Sequence, residues 1–120
     1  MSSLANAQND EPDIHLIYCT CPTESVAHAI ARVLVGEGLA ACVHCLAGGL
    51  SIYRWQGQVE EAREHTLLIK APASRYQALE SRIRELHPYE LPEIIAIPLS
   101  AGLPAYLRWV QEACMGTDLA

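Results

Sequence analysis

The chain has 120 residues, 51% of them apolar, and a formal net charge of −6. That length fits one domain, able to bury roughly two-thirds of its extended-chain surface and so to build a core without disulfides. A single lysine, Lys70, and scattered arginines exclude the clustered cationic face that a nucleic-acid backbone requires. No apolar run approaches the ~18 residues of a membrane span.

Residues 1–12 are small, polar and aperiodic. They read as a disordered leader before a domain over residues 13–116, with a tail at 117–120. Ile14–Cys21, IHLIYCTC, is a nearly continuous apolar run, the pattern of a central strand buried on both faces. Pro22 ends it, and Thr23 is placed to cap a helix with Glu24 in its first turn. Val26, Ile30, Val33 and Leu34 make one apolar stripe, and Gly36 and Gly38 stop the helix. Residues 39–46, LAACVHCL, read as a second strand, and Ala47-Gly48-Gly49 as a bulge before the chain enters a hairpin.

That hairpin spans residues 51–70, SIYRWQGQVEEAREHTLLIK. Gln56-Gly57 is its turn, because Gly57 takes the positive φ that a tight turn demands. A two-residue turn sets Trp55 opposite Gln58, Tyr53 opposite Glu60 and Ile52 opposite Glu61. Arms of about nine residues reach roughly 30 Å, more than a small sheet uses for itself. An edge that long must be paired or covered, so the outer ribbon is expected to pair with another copy of the chain.

Ser74 and Gln77 form a capping-box pattern, and Tyr76, Leu79, Ile83 and Leu86 mark a second amphipathic helix that Pro88 ends. Residues 93–97, EIIAI, lie between prolines as a short strand. Pro104 opens a third helix with Tyr106, Leu107, Val110 and Cys114 on its buried stripe and Gly116 beyond its end. The order implies an α+β fold, ferredoxin-like βαββαβ plus a C-terminal helix, with an antiparallel sheet and a long hairpin between the second and third strands. Right-handed crossovers put both long helices on one face.

The five cysteines, an odd number without a basic-plus-apolar leader, read as reduced thiols of a cytoplasmic protein. Cys19 and Cys21 leave the same face of their strand and can share one soft ion, or simply fill its interior. Cys42-Val43-His44-Cys45 is a C-x-x-C, but on a strand Cys42 and Cys45 point to opposite faces, so core thiols are the simpler reading. His87, at the second helix's end, is expected to be partly exposed and to feel the negative helix C-terminus. Glu60, Glu61, Glu64, Glu90 and Glu93 supply carboxylates that can meet Tyr53, Arg54 and Trp55 in a cleft between subunits. No G-x-S-x-G, phosphate-cradling glycine loop or H-E-x-x-H is present, so no catalytic residue is assigned and no enzyme is expected.

Four stretches together resemble the CutA family of divalent-cation tolerance proteins: Cys19-Thr20-Cys21-Pro22, Gly38-Leu39-Ala40-Ala41-Cys42-Val43, Tyr53-Arg54-Trp55-Gln56-Gly57 and His87-Pro88-Tyr89-Glu90-Leu91-Pro92-Glu93-Ile94. The similarity covers about residues 13 to 113. It implies a ferredoxin-like protomer in a homotrimer joined edge to edge by its hairpins, and a link to copper and other divalent cations. The implied metal residues are Cys19 and His87, with Cys42 matching the family's Ala-Ala-Cys. Copper-binding relatives place a second histidine before the one matching His87. Here that residue is Leu86, so Cu(II) or another divalent cation is expected to bind weakly. The expected function is a trimeric protein of divalent metal binding and tolerance. The alternative is a small-molecule sensing module of the PII type, with ligands between subunits near Tyr53, Arg54, Trp55 and Glu61.

Overall fold

The computed structural model describes residues 11–119; most of the expected leader, 1–10, lies outside them. The element order is β1 (Ile14–Cys21), α1 (Glu24–Gly36), β2 (Cys42–Trp55), β3 (Gln58–Pro72), α2 (Tyr76–Leu86), β4 (Ile94–Pro98) and α3 (Pro104–Leu119), with a 3₁₀ turn at Ala73–Arg75 before α2. The four strands form one antiparallel sheet in the order β2-β3-β1-β4. This is the ferredoxin-like arrangement that the element order implies.

Alternation along the strands sorts the sheet into two faces. Ile17, Cys19 and Cys21 of β1 and Leu67, Ile69 and Ala71 of β3 point to one face. There they pack with Ala27, Ile30 and Leu34 of α1 and Leu79 and Ile83 of α2 in one buried core. Both long helices therefore cover the same face. Leu107 and Val110 of α3 pack with Ile14, Ala41 and Leu99 in a second, smaller cluster. The remaining face carries Leu16, Tyr18, Leu46, Leu68, Ile95 and Ile97, as the strand pairing requires, and Leu46, Ile95 and Ile97 are 43–52% exposed.

The caps explain where elements start and stop. Thr23 Oγ1 accepts the Val26 N–H at 3.2 Å, one of the donors a helix start leaves unpaired. At the other end of α1, Gly38 takes φ 73°, and the N–H groups of Glu37, Gly38, Leu39 and Ala40 return to carbonyls of the last turn. Those bonds correct the expected start of the second strand. Leu39 and Ala40 serve the helix end, and β2 begins only at Cys42. The capping box at Ser74 is also absent: α2 has no side-chain cap, because the chain enters it through the 3₁₀ turn that follows Pro72.

The ribbon follows the sequence closely. Trp55 pairs with Gln58, Tyr53 with Glu60 and Ile52 with Glu61, and the register shifts between Leu46 and Gly49, where the bulge was expected. Gln56 and Gly57 take φ 50° and 80°, positive at both central residues as a type I′ turn requires. Two further differences lie in α3. It continues past Gly116 to Leu119, since one glycine costs a helix only about 1 kcal/mol relative to alanine. Tyr106 is 38% exposed rather than on the buried stripe. The stripe is Leu107, Val110 and Cys114, and Tyr106 instead leans on Trp109 at 5.6 Å between ring centroids. Among the described residues, no helix is long and apolar enough to cross a membrane.

Candidate metal centre and the adjoining cleft

The end of β1 and the end of α2 meet at one point in the core. Strand parity sends Cys19 and Cys21 towards the helices, and both are fully buried. Pro88 stops α2, and His87 adopts an extended backbone with ψ 135°, as a residue before proline prefers. Its imidazole then folds inward over the thiols. The ligand atoms of Cys19, Cys21 and His87 all lie within 4.8 Å of one another.

His87 is 7% exposed, which corrects the expectation of a partly exposed ring. Its surroundings set its tautomer. The Tyr89 N–H donates to Nδ1 at 3.1 Å, so Nδ1 presents its lone pair. Nε2 lies 2.7 Å from the Thr20 carbonyl, which only accepts, so Nε2 carries the hydrogen. A cation taken at Nε2 must displace that hydrogen and break the Thr20 bond.

The two thiols are linked electrostatically. Cys19 is pushed far above the ordinary thiol range, first by the proton it shares with Cys21, then by burial, with the charges of Glu93 and Glu64 adding to it. Cys21 is lowered because Cys19 acts as its hydrogen-bond donor. The Cys19 thiol also lies 3.7 Å from the Thr20 carbonyl, which can accept its hydrogen bond. The same two carboxylates that disfavour a second thiolate favour a cation.

Two thiols and an imidazole suit soft and borderline cations such as copper and zinc rather than calcium or magnesium. Ligands around a tetrahedral ion with ~2.3 Å metal–sulfur bonds sit roughly 3.8 Å apart, so the donors fit with some contraction. Cys42 is not brought to them. It pairs with Lys70, whereas Cys45 pairs with Leu67 and so shares the face of Cys19, Leu67's partner on the other side. The cluster takes Cys21, which the sequence placed beside Cys19, in the position expected of Cys42.

Beside the cluster opens a cleft of about 580 Å³. Its walls are the first arm of the ribbon from Ser51 to Trp55 with Glu64 of the second, Thr20 near the end of β1, and the loop that follows α2. Within the one chain Tyr53, Arg54 and Trp55 line it with Glu64, Glu90 and Glu93, and Glu61 does not. Glu61 lies opposite Ile52, on the other face of the ribbon from Tyr53. Tyr89 also lines the cleft, and its hydroxyl donates to Glu64 Oε2 at 2.9 Å. That bond and burial push the Tyr89 phenol up to about 12, burial being the larger cause. Tyr89 is therefore shared: its backbone orients His87 and its side chain shapes the cleft. Its signal in the sequence is its place two residues after His87; Glu64 carries no mark that separates it from Glu60 and Glu61.

A sequence model of the CutA1 divalent ion tolerance proteins matches residues 15–113. The divalent-cation tolerance protein CutA of Thermus thermophilus is 46% identical over 97 residues, covering 81% of this chain and 94% of its own. A CutA homolog of Xenopus laevis is 47% identical over 95 residues, covering 79% of this chain and 63% of that longer protein. The crystal structure of CutA from Xylella fastidiosa superposes with a TM-score of 0.83 at 50% identity, covering 85% of this chain and 98% of that one.

Proposed function

The chain belongs to the CutA1 divalent ion tolerance protein family, and on that premise we propose that it is a homotrimeric, non-enzymatic protein that takes up divalent cations, copper among them. The observation that carries this reading is the convergence of Cys19, Cys21 and His87 within 4.8 Å. The residues that would hold the cation are those three, and it would bind without catalysing a reaction. Affinity is modest, because His87 must give up its bond with Thr20 or with Tyr89 and Leu86 leaves the site without a second imidazole. Thiols kept free at the centre, Cys19 and Cys21, suit the reducing cytoplasm. Copper and zinc titrations of the full chain beside Cys19→Ser, Cys21→Ser and His87→Ala test the site. Each substitution weakens binding tenfold or more; superimposable isotherms in all four proteins would remove the assignment.

A second reading, a small-molecule sensor of the PII type, is favoured by the cleft of about 580 Å³ along the ribbon, a size that ligand pockets commonly have. A thermal-shift screen separates the two readings, since a ligand that prefers the native state raises its stability. Stabilisation by an organic compound in the presence of a chelator supports the sensor.

A further inference from the structure

We propose that the cleft binds an organic ammonium compound, with the cationic nitrogen seated between Glu64 and the rings of Tyr53, Trp55 and Tyr89; this rests on the sensor reading above. Glu64 is 7% exposed and lines the cleft, where its Oε2 accepts a hydrogen bond from the Tyr89 hydroxyl. Among the described residues the ion pairs join Arg82 to Glu37 and Glu85, so no cationic side chain neutralises Glu64. A carboxylate that lines a cleft without an ion pair favours a cation seated beside it as counter-charge.

The cleft itself does not supply that counter-charge. It sets three carboxylates, Glu64, Glu90 and Glu93, against the single guanidinium of Arg54. Arg54 turns to the ribbon's tip, where Nη1 donates to the Gly57 carbonyl at 3.5 Å. A bare metal ion does not fit the arrangement. Among the described residues the one group of three or more His, Cys, Asp or Glu whose ligand atoms converge is Cys19, Cys21 and His87, so the three cleft carboxylates do not converge on one point.

A charge carried on a larger body fits. The volume of about 580 Å³ holds a small organic molecule. Tyr53, Trp55 and Tyr89 line the cleft, and aromatic rings attract cations within about 6 Å of the ring centroid. Primary amines reach Glu64 through N–H donors; a quaternary amine relies on the rings and on charge alone.

The test uses the full chain with Trp109→Phe, which leaves Trp55 as the one tryptophan of the two in the sequence. Spermidine and choline are titrated against Trp55 fluorescence, with sodium chloride at matched ionic strength as control and citrate and ATP as anionic probes. Saturable quenching by spermidine or choline is expected, weakened tenfold or more by Glu64→Gln, whose amide oxygen still accepts from Tyr89. Spermidine alone would assign primary amines, and choline alone quaternary ones. Thermal shifts of the unsubstituted chain and of Glu64→Gln repeat the measurement without altering Trp109. Equal responses to sodium chloride, or equal affinity in Glu64→Gln, would overturn the proposal. Saturable binding of citrate or ATP alone would overturn the cation class while leaving the sensor reading in place. Silence with all probes ends both.

Discussion

A buried thiol that keeps its proton is a poor ligand until a cation displaces that proton, and Cys19 is such a group. Its elevation by Cys21 and by burial means that it is protonated at neutral pH and that metal uptake releases the proton. Binding therefore weakens as pH falls. We expect at least a tenfold loss of zinc affinity for each unit of acidification around neutrality, read by competition with a chromophoric chelator; a pH-independent constant would remove Cys19 as a thiolate ligand. Tyr89 gives the opposite sign. Its phenol is raised from 10 to about 12, so the fold favours the protonated form, and that contribution is complete below pH 10 and lost as pH rises towards 12. Tyr76 is raised similarly, first by burial and then by its bond to Glu80. Urea titrations should show stability falling over that window, with a shallower fall in Tyr89→Phe; an unchanged slope would separate Tyr89 from the alkaline transition. Cys19 and His87 were legible because strand parity and a helix-stopping proline are local signals. The bond from His87 Nε2 to the Thr20 carbonyl was not, since it joins residues 67 apart.

The ribbon shows what can be read at the level of elements. A two-residue turn fixes every cross-strand pair, so the place of Gln56-Gly57 in the sequence sets the register of the whole outer hairpin. Its chemistry is suboptimal: Gln56 sits at φ 50°, where asparagine is better tolerated. Gln56→Asn should stabilise the protein by a few tenths of a kcal/mol, and Gly57→Val should destabilise it by about 1–2 kcal/mol through left-handed strain. Chemical denaturation measures both, and a neutral Gly57→Val would mean that the tip contributes little to folding. The start of β2 was less legible for a specific reason. Leu39-Ala40-Ala41 has the apolar character of a strand, but the carbonyls at the end of α1 claim the N–H groups of Leu39 and Ala40. Competition between a helix end and a strand for the same donors leaves no mark in hydrophobic periodicity.

At the scale of the molecule, a single chain leaves too much unsatisfied. Its extents are 54 × 35 × 22 Å and its radius of gyration 16.2 Å, against about 14 Å for a compact chain of this length; the ribbon accounts for the excess by projecting from the body. An antiparallel sheet can leave one face to water when that face is polar. Here the open face carries Leu46, Ile95 and Ile97 about half exposed, and the ribbon adds Leu50, Ile52 and Val59 at 49–65%. β4 and β2 are both edges, each with a row of unpaired backbone groups. Copies of the chain that bring open faces together and pair ribbon to edge would answer both demands, which is the physical argument for the trimer proposed above. Burying an isoleucine contributes about 1.5–3 kcal/mol, so in the proposed trimer Ile95→Glu with Ile97→Glu would remove that gain in every subunit and place charges in the apolar contact. Sedimentation should give three chains for the parent protein at micromolar concentration, and smaller species for the double variant. A parent chain that stays monomeric and folded at that concentration would show that the open face tolerates water, and the trimer would then have no physical ground.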